Sequence, residues 1–171
     1  MSGPVDVSKV ALTTGPLSDD DEPMNETTSQ VLQYGTASPE AAAEHFRHHL
    51  SFTTDAADLA EDLAAGSKEI LVIDARSAEW YAKSHIPGAI SFPHRTMNAE
   101  SVRALPQDRV LVVYCDGIGC NASTKGALKL AALGFRVKEL LGGLDWWIRD
   151  GHAVERGEAE DVASAVIRCG C

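Results

Sequence analysis

The chain has 171 residues, 44% of them hydrophobic, which suits one packed domain with tails better than two domains. Its longest apolar runs, ILVI and VLVVYC, fall far short of the roughly 20 residues a membrane-spanning helix needs. The formal charge of −10, with no basic stripe to neutralise phosphates, speaks against binding DNA or RNA. Residues 1–37 hold six acids and one base and read as an acidic disordered tail, since little there can bury apolar surface. Met1 to Val10 has no basic start followed by an apolar block, so the expectation is a soluble, cytoplasmic protein with reduced cysteines.

From Ser38 the pattern changes. Ser38-Pro39-Glu40 reads as cap, first-turn proline and first-turn acid of a helix running to about Leu50. A second helix starts near Thr54-Asp55, with Leu59 and Leu63 on one face and Gly66 as its stop. Residues 69–73 form a short apolar run suited to a buried strand. A helix at 78–83, a Pro87-Gly88 turn, an extended piece at 89–91 and helical residues at 98–104 follow. Val110 to Tyr114 is β-branched and apolar throughout, the signature of a strand buried on both faces. Then come a helix at 121–133, a strand at 136–140 and a helix at 144–149. This alternation predicts an α/β domain over 38–157, a small central parallel sheet with helices on both faces, and a C-terminal tail over 158–171 ending in Cys169-Gly170-Cys171.

The chemistry concentrates in Tyr114-Cys115-Asp116-Gly117-Ile118-Gly119-Cys120-Asn121, where the best strand ends and a helix begins. That junction is the usual ligand site of a parallel sheet. Two glycines let the backbone curl and aim successive amides at one point, and the helix start adds positive potential. Such surroundings favour a thiolate beside a bound anion. The residues alone leave two readings of Cys115: a nucleophile, or a buried cysteine at a strand end.

Three segments together resemble the rhodanese family of sulfurtransferases. The first is Val72-Ile73-Asp74-Ala75-Arg76, then Glu79-Trp80, then His85-Ile86-Pro87-Gly88-Ala89-Ile90, similar to a D-x-R … GHIPGA signature with Ser84 in place of its first glycine. The second is the loop opened by Cys115. The third is Leu141-Gly142-Gly143-Leu144-Asp145-Trp146-Trp147, similar to a GG-x-x-x-W closing motif. The resemblance spans about residues 51–152 and implies a single-domain sulfurtransferase. Cys115 would attack a sulfane sulfur, from thiosulfate or a persulfide, and carry it to a nucleophilic acceptor such as cyanide or a thiol, including a protein thiol. The loop amides from Asp116 to Asn121 would stabilise the persulfide. No metal or organic cofactor is implied, and the oligomeric state is not specified.

Asp116 gives the loop an acid and no base, so repulsion should weaken thiosulfate binding unless Arg76, Arg95 or Lys125 lies close. Cys120 has two readings: a resolving thiol for Cys115, or a small side chain whose amide faces the anion. Two rival functions follow: a thiol redox enzyme cycling Cys115 with Cys120, and a non-catalytic rhodanese-like binding or regulatory module. Asn121 stands six residues after Cys115, where phosphatases of Cys-x5-Arg type need arginine, which disfavours phosphate chemistry. Asp74 and Arg76 read as an ion pair holding adjacent loops, with Arg76 as a further anion contact. His85 reads as a loop hydrogen-bonding residue, and Trp80, Trp146 and Trp147 as core or lid packing. His45, His48 and His49 share a helical face without an evident completing ligand, so no metal site is assigned. Cys169 and Cys171 are half of a zinc set and read as an exposed tail.

Overall fold

The computed structural model describes residues 29–168. Residues up to Ser38 form one unit, whose described part contains a 3-10 turn at Gln30–Leu32. The acidic run 19–22 and the Cys169/Cys171 pair lie outside the described residues.

The second unit begins at Pro39 and holds α1 (Pro39–Phe52), β1 (Thr53–Thr54), α2 (Ala56–Ala64), β2 (Ile70–Asp74), α3 (Ala78–Lys83), β3 (Ile90–Ser91), β4 (Val110–Tyr114), α4 (Ala122–Ala132), β5 (Arg136–Leu140), α5 (Gly143–Arg149) and α6 (Val162–Arg168). All five strands are parallel, in the order β1-β5-β4-β2-β3. This is the α/β architecture expected from the alternation of patterns.

Strand side chains alternate between the two faces, so a doubly covered strand must be apolar at every position. Leu71, Ile73, Leu111 and Val113 pack with Leu130 of α4 and with Phe135 on one face. Val72, Val112 and Tyr114 pack with Leu59 of α2 and with Leu144 and Trp147 of α5 on the other. The central strand β4 therefore anchors both cores, and whatever follows Tyr114 starts from a rigid platform.

The helix boundaries follow local chemistry. Asp55 caps α2 by accepting from the Asp58 amide at 2.9 Å. Residues 98–104, expected to be helical, hold only a 3-10 turn at Ser101–Ala104. There Asn98 Oδ1 accepts from the Glu100 and Ser101 amides at 2.9 and 3.1 Å, a local turn that competes with a longer helix. The two-residue strand β1 is too short to show a pattern and exists through its pairing with Glu139 and Leu140.

Within the segment expected as a C-terminal tail, α6 buries Ala165 and Val166 in the same core as Ile90 and Val102. Val162, Ala165 and Val166 make an i, i+3, i+4 face, but its side chains are small and the helix spans only two turns, so the signal is weak.

Candidate active site

Cys115 is the first residue beyond β4, at the carboxyl end of the central strand, and is 2% exposed. The closing motif holds the loop at its root. The Leu144 amide donates to the Cys115 carbonyl at 3.0 Å and the Asp145 amide to the Asp116 carbonyl at 2.8 Å. This docking needs Gly143, whose φ is +55° and whose Cβ, if present, would fall on the Cys115 carbonyl oxygen. Gly143 is thus explained by backbone contact with the thiol's own residue, and Gly142, with φ +74°, by the Trp146 side chain that a Cβ there would overlap.

The Cys115 sulfur faces the Cys120 carbonyl at 3.0 Å and, more distantly, the Gly117 carbonyl at 3.8 Å. Ser123 Oγ lies 3.4 Å from it, and the Ser123 amide at the start of α4 also bonds it. The partners of this sulfur as a free thiol are therefore two carbonyls and Ser123. The Cys120 amide instead donates to the Gly117 carbonyl at 2.9 Å, closing a tight turn. The Asp116 and Ala122 amides bond the sulfur of Cys120.

The two thiols also hydrogen-bond each other. Burial pushes the Cys115 thiol up, the bond to Cys120 pushes it further, and the Ser123 contacts only partly offset this. At Cys120, burial acts upward as well, but the hydrogen bond from Cys115 and the Ala122 and Asp116 amides outweigh it, so its pKa falls below that of an ordinary thiol.

Two residues that the sequence reading missed complete the site. Ser123 Oγ donates to Glu139 Oε1 at 2.7 Å, and Thr124 Oγ1 donates to the same oxygen at 2.8 Å. Glu139 belongs to β5, in register with Val113 of β4. Ser123 has one hydroxyl proton and two acceptors, Glu139 and Cys115. Thr124 keeps the carboxylate bonded when that proton turns towards the sulfur. Cys115, Asn121, Ser123 and Glu139 line a cleft of about 240 Å³.

Arg76 ties the loops together. Its guanidinium bonds both Asp74 oxygens, with Nη2 to Oδ2 at 2.7 Å, and it also reaches the Ser84 carbonyl at 2.6 Å and Asp116 Oδ1 at 3.2 Å. Burial alone would lower the Arg76 pKa, but the bonds to Asp74 and Asp116 raise it above its ordinary value. The pairing expected between Asp74 and Arg76 is present, and Asp116 joins it. The guanidinium carries one positive charge between two carboxylates, so the loop acid that would repel an anionic donor is offset only in part.

Cys120 sits where three clefts meet. The largest, about 650 Å³, is walled by Trp80, Lys83, Arg149 and Trp146, with Ile118 and Gly119 at the loop tip. A second, about 420 Å³, adds His94 and Arg95. Of the three cations considered for the anion, Arg76 and Arg95 line these clefts and Lys125 does not. The tryptophans divide: Trp147 is buried in the core, whereas Trp80 and Trp146 are about half exposed around the cleft. His85 Nδ1 pairs with the Tyr81 carbonyl at 2.8 Å and its ring stacks on Tyr81, a structural placement. His45, His48 and His49 are exposed on α1.

Comparison with known proteins places this geometry among relatives. A 34% identity over 89 residues links the chain to the HTH-type transcriptional regulator Rv0324 of Mycobacterium tuberculosis, covering 52% of this chain and 39% of that protein. The chain thus spans well under half the length of that curated relative. The structure of the BH2092 protein from Bacillus halodurans is 44% identical, with a TM-score of 0.68 over 69% of this chain and 86% of the other. SseA from Escherichia coli, a 3-mercaptopyruvate sulfotransferase with the rhodanese fold, is 28% identical with a TM-score of 0.57, over 64% and 52% of the two chains. The model of the Rhodanese-like domain matches residues 55–150, a span that begins at the cap of α2 and closes just after α5, enclosing β4, its cysteine loop and Gly143, which docks it. The chain belongs to the Rhodanese-like domain family.

Proposed function

We propose that the protein is a sulfurtransferase that carries a sulfane sulfur as a persulfide on Cys115. The observation that carries this reading is the position of Cys115 at the end of the central strand, with its sulfur on Ser123 at the start of α4. The family resemblance and the likeness to SseA support it.

In the first step the Cys115 proton passes to the Ser123 hydroxyl as that hydroxyl gives its own proton to Glu139. The thiolate attacks the outer sulfur of thiosulfate or a persulfide. The donor S–S bond breaks, and sulfite or a thiolate leaves with the electron pair. Ser123 then donates to the persulfide anion and the α4 amides add positive potential. Cyanide, a small thiol or a protein thiol takes the outer sulfur in the second step. Arg76 and Arg95 supply positive charge for an anionic donor, against Asp116. The steps call on no metal or organic cofactor, and a free carrier thiol suits a reducing compartment such as the cytoplasm.

A second reading, a binding or regulatory module, is favoured by the relative that is a transcriptional regulator and by exposed Trp80, Ile118, Trp146 and Ile148 beside the cleft. Intact-protein mass spectrometry before and after thiosulfate or glutathione persulfide separates the two. The transferase, read in the Cys120→Ser chain so that no neighbouring thiol can discharge the persulfide, gains one sulfur atom on Cys115, which cyanide removes, and Cys115→Ser gains none there. No gain from either donor sinks the transferase reading for these donors and leaves the module.

A further inference from the structure

Cys120 lies in the loop for a reason other than its amide. That amide is bonded to the Gly117 carbonyl at 2.9 Å and does not face the Cys115 sulfur. The side chain does: the two thiols share a hydrogen bond. Cys120 is also the more accessible of the two and the one that opens to all three clefts. The Asp116 and Ala122 amides are directed at its sulfur, an arrangement that stabilises negative charge there.

We propose that Cys120 is a resolving nucleophile that converts the Cys115 persulfide into hydrosulfide and a Cys115–Cys120 disulfide. This step rests on the persulfide reading above. The Cys120 thiolate attacks Cys115 Sγ, the inner sulfur and the atom it already contacts. A new S–S bond forms between the two side chains, the bond from Cys115 Sγ to the outer sulfur breaks, and that sulfur, having taken the proton that the Cys120 thiol gave up, leaves as HS⁻ with the electron pair. The sulfane sulfur is reduced to sulfide while two thiol sulfurs are oxidised to a disulfide, so the electrons balance without a further oxidant. Hydrosulfide is a good leaving group because its conjugate acid is stronger than an alkyl thiol. An external dithiol, itself oxidised to a disulfide, then returns Cys115 and Cys120 to thiols through the clefts that open on Cys120. The activity is thus dithiol-dependent release of sulfide from a persulfide or thiosulfate, in addition to transfer onto an acceptor.

The test is a single loading in the absence of reductant. Wild-type protein and the Cys120→Ser and Cys120→Ala variants are treated with glutathione persulfide or thiosulfate, freed of donor, and followed by intact mass, peptide mapping and hydrosulfide assay. The wild type should release one hydrosulfide per chain, lose two hydrogens relative to the reduced protein, and show a Cys115–Cys120 crosslinked peptide that dithiothreitol reverses. Both variants should retain the mass of one sulfur on Cys115 and release no hydrosulfide above background. A wild-type persulfide as long-lived as that of the variants overturns the proposal and leaves the transferase reading standing. So does sulfur mapped to Cys120, or a disulfide from Cys115 to Cys169 or Cys171. Failure of wild type and variants alike to take up sulfur overturns both. If either variant is misfolded, the wild-type peptide map and hydrosulfide yield decide the matter alone.

Discussion

Cys115 and Cys120 stand five residues apart in one loop, yet their sulfurs meet opposite chemistry. Carbonyls and burial keep the proton on Cys115, while amides draw it from Cys120. An acid whose anion is disfavoured ionises only at higher pH, and one whose anion is hydrogen-bonded ionises at lower pH. Iodoacetamide labelling read by peptide mapping should therefore show a rate for Cys120 that inflects below the pH of an ordinary thiol and a rate for Cys115 that inflects above it. In Cys120→Ser the Cys115 inflection should move to lower pH, because the neighbour that raises it has gone. Equal inflections for the two thiols would contradict this assignment. Cys115 was legible in the sequence because a β-branched apolar run ending in Cys-x-Gly marks a strand end. Ser123 and Glu139 were not, because Glu139 reaches the site only through the pairing of β5 against β4, a register that spacing along the chain does not reveal.

At the scale of elements, the site is a junction of loops following β2, α3 and β4, and Arg76 is the joint. Asp74 is fully buried, and its oxygens take the Arg76 Nε and Nη2 donors together with the Arg76 amide. Removing one partner of such a pair strands a charge in the interior, at a typical cost of about 3–5 kcal/mol. Arg76→Ala should lower the urea midpoint by a corresponding amount, and Asp74→Asn added to it should recover part of the loss. A loss below about 1 kcal/mol would mean that the pair is not desolvated as described. The same variant frees Asp116 beside the cleft, so loading from thiosulfate should fall more than loading from a neutral persulfide. The Asp74–Arg76 pairing could be read from two charges flanking an alanine at a strand end. The reach of Arg76 to Ser84 and Asp116 could not, since it joins residues 8 and 40 positions away.

For the whole molecule, four of the five strands and the helices that cover them were legible because apolar runs and helical periods alternate with turn signals between them, whereas the two-residue β1 was not. Nor was the C-terminal segment. Its acids and small side chains give it the composition of a tail, and only the exposed edge of the core over β3 and the 101–104 turn makes α6 worth forming. Burying a valine side chain stabilises by about 1.5–3 kcal/mol, and the Ala165 methyl and its neighbours add to that. Deleting residues 158–171 should therefore lower the melting temperature by several degrees. Val166→Asp in the full chain should do the same, and calorimetry of both checks it. An unchanged melting temperature in both would return the segment to the status of a tail.

The ends of the sheet have a consequence for the protein in a crowded cell. β1 and β3, the two outermost strands, are each only two residues long, while the three strands between them have five. An open sheet edge offers unpaired amides and carbonyls to any passing strand, and a long flat edge templates aggregation. Here each edge offers about one residue's worth of ladder before the chain turns away into α2 or into the loop after Ser91. The apolar strands β2 and β4 lie inside the sheet, and β5, next to the β1 edge, carries Arg136, Lys138 and Glu139, charges that discourage a further strand.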